Sequence, residues 1–433
     1  RVDPAPYAPN RHIVFPEAKG LRWHDISPRS GLAYDVFGDG KTAIKLSLNR
    51  YLKGTAIGTG DLTVVTSEIS PAARLVTSTT RSWNDLNRNY VPDCDLRNPV
   101  AQGECGPWSD LGFGKAREVT THYADDAMGG FNNQSHNWQA SASVQHQLLP
   151  GLGLNVGYFR TWYGGFVATD NLAVANSDFT PFSVTVPTDS RLPGGGGYTV
   201  GGLYNVVPGK FGQTSNNITD AGNFGEQYMH YNGILINVSA RNMHGLTMQG
   251  GINTGKTVQD DCAIRNALPE LVTTAFAGTN PIVAPLNPFC HVDPGFITKA
   301  NLIASYTVPK VDVLIASTFR TDQGAALGGT WNAPSATVVN PALGRTISGG
   351  AATAAITIIN PGQLWGDRVN ELDFRFAKII KIDKLRINAG IDVYNILNQA
   401  AVLNYNTTFG ASFLAPTAVL SPRFMKLSAQ IDF

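Results

Sequence analysis

The last nine residues of the chain, 425–433, alternate strictly between apolar and polar side chains. One side of this segment carries only apolar residues: Met425, Leu427, Ala429, Ile431 and Phe433. The other side carries only polar residues: Lys426, Ser428, Gln430 and Asp432. A period of two predicts a β-strand, here with one wholly apolar face. That face must be covered either by a protein core or by lipid.

The same alternation recurs along the chain, for example from Leu385 to Val393, where apolar residues alternate with Arg386, Asn388 and Asp392. It predicts about eleven strands, near 30–37, 41–51, 136–149, 152–163, 229–241, 245–257, 296–307, 310–320, 368–380, 384–396 and 423–433.

The connections between these strands are alternately very short and very long. Tight turns are expected at 38–40, 150–151, 242–244, 309–310 and 381–384; the first reads Asp-Gly and the second Pro-Gly. Long insertions are expected at about 53–135, 164–228, 259–293, 321–367 and 398–422. Structureless connections of this length are rare in compact soluble domains, but this rhythm is typical of outer-membrane barrels. It argues against a soluble β-sandwich or solenoid.

These patterns predict an all-β fold, a transmembrane antiparallel β-barrel with long extracellular loops and Phe433 on the periplasmic side. An odd number of strands cannot close a bacterial barrel, and lipid does not tolerate the open edges of a sheet. Residues 1–433 are therefore expected to be the C-terminal half of a barrel of about 22 strands. The chain opens at Arg1 without an initiator Met or a signal peptide, which also indicates a piece of a longer protein.

Composition excludes several functional classes. Charged residues make up 15% of the chain and the net charge is +1, so no basic excess indicates a nucleic-acid partner. No run of about 18 apolar residues occurs, so no transmembrane helix is expected. Catalytic motifs are also lacking, and we do not expect an enzyme.

Charged residues on the predicted inward face form a further pattern. They are Glu371, Asp373, Arg375, Arg386 and Asp392. An ion-pair ladder in the barrel lumen that braces the plug is the favoured interpretation, with guidance of a substrate as the alternative.

The four cysteines lie in two predicted loops, Cys94 with Cys105 and Cys262 with Cys290. Four cysteines permit three pairings, and the sequence alone does not choose among them. We favour the two local disulfides because each pair lies within one loop of an exported protein. Free thiols remain the alternative.

The segment 85–95 places oxygen-bearing side chains at alternate positions: Asp85, Asn87, Asn89, Asp93 and Asp95. With the backbone carbonyl of Val91 they could surround a hard cation. The segment resembles the aspartate-rich calcium loops of thrombospondin type 3 repeats. It departs from an EF-hand loop at Tyr90, where Gly is usual, and at Leu96, where Glu is usual. A structural Ca²⁺, clamped by a nearby Cys94–Cys105 bridge, is the hypothesis, and a polar turn cluster is the alternative.

Two further segments carry a resemblance to a known family. Residues 21–45, beginning Leu-Arg-Trp-His-Asp-Ile-Ser-Pro-Arg, resemble the mid-barrel of TonB-dependent outer-membrane receptors with an N-terminal carboxypeptidase-regulatory-like domain. Residues 392–398, Asp-Val-Tyr-Asn-Ile-Leu-Asn, resemble the penultimate-strand motif of that family. In the terminal strand, Lys426 and Phe433 fit the family's assembly signal. Ser428 stands where Gly is usual, and Ile431 where an aromatic residue is usual.

The resemblance implies active uptake across the bacterial outer membrane. Its implied partners are the upstream half of the barrel with its plug, as one chain or as a separate cleaved chain, the TonB complex and outer-membrane lipids. The imported solute would be a siderophore, a glycan, a peptide or a similar scarce compound. The alternative is an outer-membrane structural or adhesive barrel that displays its large loops.

Overall fold

The computed structural model describes residues 3–5, 8, 11–15, 17, 19–54, 74–117, 119–273, 285–382 and 385–432. Eleven long strands dominate it: β1 (Arg29–Asp35), β2 (Thr42–Leu52), β3 (His136–Leu149), β4 (Leu152–Gly164), β5 (Tyr228–Met243), β6 (Leu246–Asp260), β7 (Ile297–Val308), β8 (Val313–Asp322), β9 (Val369–Ile382), β10 (Leu385–Tyr394) and β11 (Phe424–Asp432). Each predicted strand is confirmed, with bounds that differ by at most three residues.

The connections contain shorter elements. The short strands are Arg22–His24, Thr121–Tyr123, Gly129–Phe131, Val167–Asn171, Phe179–Thr185, Thr199–Val206, Asn216–Asp220, His291–Val292, Ala326–Leu327, Thr330–Pro334, Thr353–Thr357, Leu364–Trp365, Val402–Tyr405 and Pro416–Val419. The α-helices are Asp125–Met128, Cys262–Ala267 and Asn340–Leu343. The 3₁₀ and π turns are Asn176–Asp178, Pro193–Gly195, Pro208–Lys210, Ala221–Asn223, Pro269–Thr273 and Ser335–Val339. In the described part of the chain, no helix is long and apolar enough to cross a membrane.

The eleven long strands form one antiparallel sheet in chain order, in which each strand pairs with the strands before and after it. The short strand His291–Val292 adds to β6 at one end of the sheet. Among the described residues, β1 and β11 do not pair with each other, so the sheet has two free edges. The antiparallel fold of about eleven strands is therefore confirmed, and the described strands do not close by themselves.

One face of the sheet is apolar and exposed. The strand registers bring the side chains of successive strands onto this face in continuous rows. Its exposed members include Leu32, Leu46, Val144, Val156, Ile236, Ile252, Leu302, Phe376, Ile391 and Leu427. We call this surface the apolar belt. Soluble monomers rarely expose so large a continuous apolar patch, so the belt indicates contact with lipid.

The opposite face of the sheet is polar. Its members include Lys45, Ser143, Asn155, Asn237, Asn253, Asn301, Arg320, Glu371, Arg375 and Asp392. An apolar outer face and a polar inner face on the same strands are the arrangement of an outer-membrane barrel wall.

The short turns lie at one end of the strands. At the β3–β4 turn, Gly151 has a φ of +82°, and a Cβ there would lie 2.9 Å from the backbone oxygen of Arg241. Glycine therefore makes this turn possible beside β5. The predicted turn at 381–384 includes residues 383 and 384, which lie outside the described residues.

The long connections lie at the other end of the strands. They contain the short strands and helices given above, except Arg22–His24, which precedes β1. Several of these elements pack together around a hydrophobic core. Short strands of two to eight residues lack the long alternation that revealed the eleven barrel strands.

Candidate functional site

Three long connections pack into a single body above the sheet: loop A (165–227), loop B (323–368) and loop C (395–423). Their shared interior, here called the loop core, consists of Phe182, Val184, Val186, Leu192, Val200, Leu203, Trp331, Ala333, Val339, Leu343, Ile347, Ala354, Ile356, Ile358, Ile359 and Phe413. Leu203, Ala333 and Ile356 have no exposed surface. Because the core joins side chains from all three loops, they form one packed unit and are not three independent flaps.

Two arginines connect the loops of this unit. Arg191 of loop A donates to Asp189 Oδ2 at 2.6 Å and to the backbone oxygen of Phe413 in loop C at 2.7 Å. The hydrogen bond from Arg191 lowers the pKa of the Asp189 carboxyl to about 2. Arg345 of loop B donates to the Asn205 side chain of loop A at 2.8 Å. These charge-assisted bonds fix how the loops meet.

The polar face of the sheet holds cross-strand ion pairs. Arg375 on β9 lies 3.0 Å from Asp392 on β10, and Arg320 on β8 lies 2.6 Å from Glu371 on β9. Ser428 on β11 donates to Asp392 at 3.3 Å. The predicted ladder thus forms around Arg375, Asp392 and Glu371.

The two other predicted members of the ladder have different surroundings. Asp373 accepts a hydrogen bond from the backbone of Asn395 at 2.8 Å. Arg386 lies in register with Lys381 and Asp432, toward the end of the strands that carries the short turns.

The motif at 392–398 has a local structural purpose. Asn395 and Asn398 both have positive φ, +47° and +51°, a backbone conformation that asparagine tolerates better than most residues. The buried Asn395 side chain donates to the backbone oxygens of Gln399 and Ser421, at 3.0 and 2.8 Å. Asn398 accepts from the backbone of Arg423 at 3.0 Å. The two asparagines thereby end β10 and position the start of β11.

The last strand lies where the sequence predicted it. Lys426 is in register with Asp392, Ser428 with Gly390, and Ile431 with Ile387. Ile431 is on the apolar belt and 56% exposed, as a lipid-facing residue would be. Phe433 lies outside the described residues.

The structure contains the two local disulfides that we favoured, Cys94–Cys105 and Cys262–Cys290. The first closes part of the connection between β2 and β3. The second joins the helix Cys262–Ala267 to the segment that leads into β7.

The aspartate-rich segment is an exposed turn whose side chains bond to its own backbone. Asp85 accepts from the backbone amides of Asn89 and Tyr90, at 3.2 and 3.0 Å. Asn89 donates to Asp93 at 3.0 Å and accepts from the amide of Val91 at 2.7 Å. Asn87 also donates to Asp93.

The other features of this segment concern its ends and its backbone. Asp95 accepts a hydrogen bond from the backbone amide of Arg97 at 2.9 Å. Tyr90 has a φ of +61°, the conformation that a glycine provides at this position of an EF-hand loop. Four of the six predicted ligand residues, Asp85, Asn87, Asn89 and Asp93, therefore lie together, joined by hydrogen bonds.

The sequence analysis missed the residue that organises this segment. Glu104 is almost buried and accepts from the Trp83 indole at 3.1 Å and from the Leu86 amide at 2.7 Å. It also accepts from the amides of Asn87 and Asp93. The Trp83 bond and these amides lower the pKa of the Glu104 carboxyl. The sequence feature that could have indicated Glu104 is its position beside Cys105, which the disulfide joins to Cys94 in the segment.

No cluster of three or more His, Cys, Asp or Glu residues suited to a metal ion occurs in the described residues. Asn87 and Asn89 of the segment 85–95 do not belong to these four residue types.

No model of a protein family matches the chain, and no curated protein matches it. Solved structures do resemble it. The outer membrane transporter YddB from Escherichia coli is 10% identical with a TM-score of 0.41, over 92% of this chain and 39% of that chain. The ferripyoverdine receptor of the outer membrane of Pseudomonas aeruginosa is 11% identical with a TM-score of 0.41, over 93% and 32%. The FrpB iron transporter from Neisseria meningitidis is 10% identical with a TM-score of 0.39, over 93% and 38%.

By their names, these proteins are an outer-membrane transporter, an outer-membrane receptor and an iron transporter. This chain spans between 32% and 39% of their lengths.

Proposed function

We propose that this chain forms part of the barrel wall of an outer-membrane transporter of the TonB-dependent class. The observation that supports this most is the apolar belt, which spans the sheet while the other face carries ion pairs and amides. A soluble protein would leave this belt uncovered. The family resemblance of residues 21–45 and 392–398 adds the transport role to the membrane architecture.

The free edges of the sheet define the first partner. β1 and β11 each lack one neighbouring strand among the described residues. An unpaired edge in hydrocarbon would leave backbone amides and carbonyls without partners, at a cost of several kcal/mol each. We therefore propose that further strands of the same protein complete the barrel and that a plug domain occupies the polar side.

Energised uptake is tested with the complete protein in its host. Cells with and without this protein, and with and without the TonB energising proteins, are given a mixture of ferric siderophores, neutral oligosaccharides and peptides. Mass spectrometry of the medium measures which solutes disappear. At least one solute should be depleted only when both the protein and the energising system are present.

An unchanged depletion profile in cells that lack the energising proteins would contradict transport. It would favour the alternative, a barrel that displays the loop unit as a structural or adhesive surface. The packed loop core is compatible with that function as well, so the uptake measurement separates the two.

We also propose that the segment 85–95 binds a structural Ca²⁺. Support comes from the proximity of Asp85, Asn89 and Asp93, and from the EF-hand-like backbone at Tyr90. Bound Ca²⁺ would require the Asp85 carboxylate to exchange its backbone hydrogen bonds for metal coordination.

Terbium luminescence tests this proposal, because Tb³⁺ binds at calcium sites and Tyr90 can sensitise its emission. The signal should appear in the wild type, be displaced by Ca²⁺ and disappear in Asp93→Asn. It should persist in Asp110→Asn, a control elsewhere in the same connection. Absence of a signal in the wild type, or its persistence in Asp93→Asn, would contradict the proposal.

A further inference from the structure

A cleft of about 540 Å³ lies between the loop unit and the segment 285–296. The segment is attached to loop B through backbone hydrogen bonds of 2.8 and 2.9 Å that Leu286 makes with Ala355 and Thr357. The Cys262–Cys290 disulfide holds the middle of the segment. Both walls are thus anchored, and the volume is within the range of pre-formed small-molecule sites.

The apolar part of the lining includes the rings of Tyr198, Phe289 and Pro361, beside the aliphatic side chains of Val200 and Ile358. Tyr198 donates its hydroxyl to the backbone oxygen of Ile358 at 2.6 Å, which holds its ring in place. The backbone amide of Phe289 donates to the Asn287 side chain at 3.1 Å. A held aromatic ring such as Tyr198 offers a flat apolar surface to a ligand at a small cost in conformational entropy.

The polar part of the lining consists of Thr199, Asp293, Asn360 and Gln363, and no lysine or arginine is among the described lining residues. The Asp293 carboxylate is already paired with Lys256, at 2.6 Å. The cleft therefore combines apolar rings with hydroxyl, amide and carboxylate groups, without a free positive charge. An anionic ligand would leave its own charge unpaired there.

The position of the cleft separates it from the polar face of the sheet. Lys256 is on the same face of β6 as Ile252, four residues further from the short turns. The Asp293 end of the cleft therefore lies on the outer side of the sheet, beyond the apolar belt.

We propose that this cleft binds a neutral sugar. A pyranose ring has an apolar face of C–H groups that can lie on the rings, and hydroxyls that can bond to the amides and the carboxylate. Two sources could supply it: a free oligosaccharide, or the sugar portion of a glycolipid in the outer leaflet beside the belt. This inference builds on the proposed membrane position but needs no energised transport.

Binding is measured on the complete purified protein in detergent, so that failure of import would not affect the result. One arm uses an array of neutral oligosaccharides, and a second arm uses lipopolysaccharide in micelles. Ferric siderophores serve as anionic competitors. Phe289→Ala should weaken sugar binding about tenfold or more, a loss of roughly 1.4 kcal/mol. Gln363→Ala, at an exposed position, should weaken it without a risk to folding.

Phe296→Ala is the matched control, because Phe296 is 60% exposed in the same segment and does not line the cleft. Binding in the first arm would identify a free sugar, and binding in the second a glycolipid. Absence of sugar binding in both arms would overturn the proposal. So would wild-type affinity in both Phe289→Ala and Gln363→Ala, or displacement of the sugar by ferric siderophores.

Discussion

A charge placed on the apolar belt should destabilise the protein far more than the same charge placed one residue away. Ile236 on β5 lies between Val156 on β4 and Ile252 on β6, in the middle of the belt. All three side chains are exposed, although they are apolar. Leu235, the preceding residue, points to the polar face, where it is in register with Gly157 and Asn253.

Arginine at a lipid-facing position near the bilayer midplane costs about 2–4 kcal/mol. Ile236→Arg should therefore shift the unfolding equilibrium by roughly 30- to 800-fold. Leu235→Arg places the charge among polar groups on the inner face, and its cost should stay below about 1 kcal/mol. Both substitutions introduce the same residue on the same strand in place of an aliphatic side chain of equal size.

The assay is equilibrium unfolding of the complete protein in lipid vesicles with guanidinium, followed by tryptophan fluorescence. The difference between the two variants is the quantity of interest, because it cancels effects common to any inserted arginine. Equal costs at 235 and 236, or a larger cost at 235, would refute the assignment of the belt to lipid.

Three further predictions concern the loops. Ile356→Ala leaves a cavity in the loop core and should lower the local free energy of unfolding by about 2–5 kcal/mol, measured by hydrogen exchange. The control Leu172→Ala, at an exposed position in loop A, should change this free energy little. Because folding lowers the pKa of Asp189 from 3.8 to about 2, its ionised carboxylate stabilises the folded loops at pH values above 3.8. This stabilisation is lost as the pH falls toward about 2 and the carboxylate becomes protonated. Loop-core fluorescence should therefore report destabilisation between pH 4 and 2 in the wild type, and a smaller change in Asp189→Asn. Replacing Cys94 and Cys105 together by Ala should cost about 2–3 kcal/mol locally and speed proteolysis between residues 75 and 117.

The eleven barrel strands were predictable because a lipid-facing strand must alternate along its whole length. The apolar and polar faces follow the period of two at 138–145 in β3, at 236–241 in β5 and at 425–432 in β11. The turns between them added independent information, as Gly151 shows. Local sequence was sufficient because each strand meets lipid on one side and polar groups on the other.

The loop core was not predictable by the same reasoning. The apolar run 351–359 was too short for a membrane helix, and nothing nearby indicated its partner. In the structure it contributes Ile356 and Ile358 to the loop core, packed with side chains from loops A and C. Such contacts join residues far apart in the chain, and short strands leave little periodicity to detect.

The aspartate-rich segment 85–95 was predictable from the sequence only in part. Its alternate polar positions were visible, but the residue that holds them, Glu104, is distant from Asp85 in the chain and is brought close by the fold. The Cys94–Cys105 disulfide contributes to this approach. Residue type and spacing therefore pointed to the segment but not to its supporting contact.

Spin labels placed singly at 234–238 on β5, in the complete protein reconstituted in lipid, test the membrane position of the sheet most directly. Collision with oxygen reports exposure to lipid, and collision with a water-soluble nickel chelate reports exposure to water. The apolar belt predicts high oxygen accessibility at Ile234, Ile236 and Val238, and low values at Leu235 and Asn237. Oxygen accessibility without a period of two, or nickel accessibility highest at Ile236, would contradict a membrane-spanning sheet.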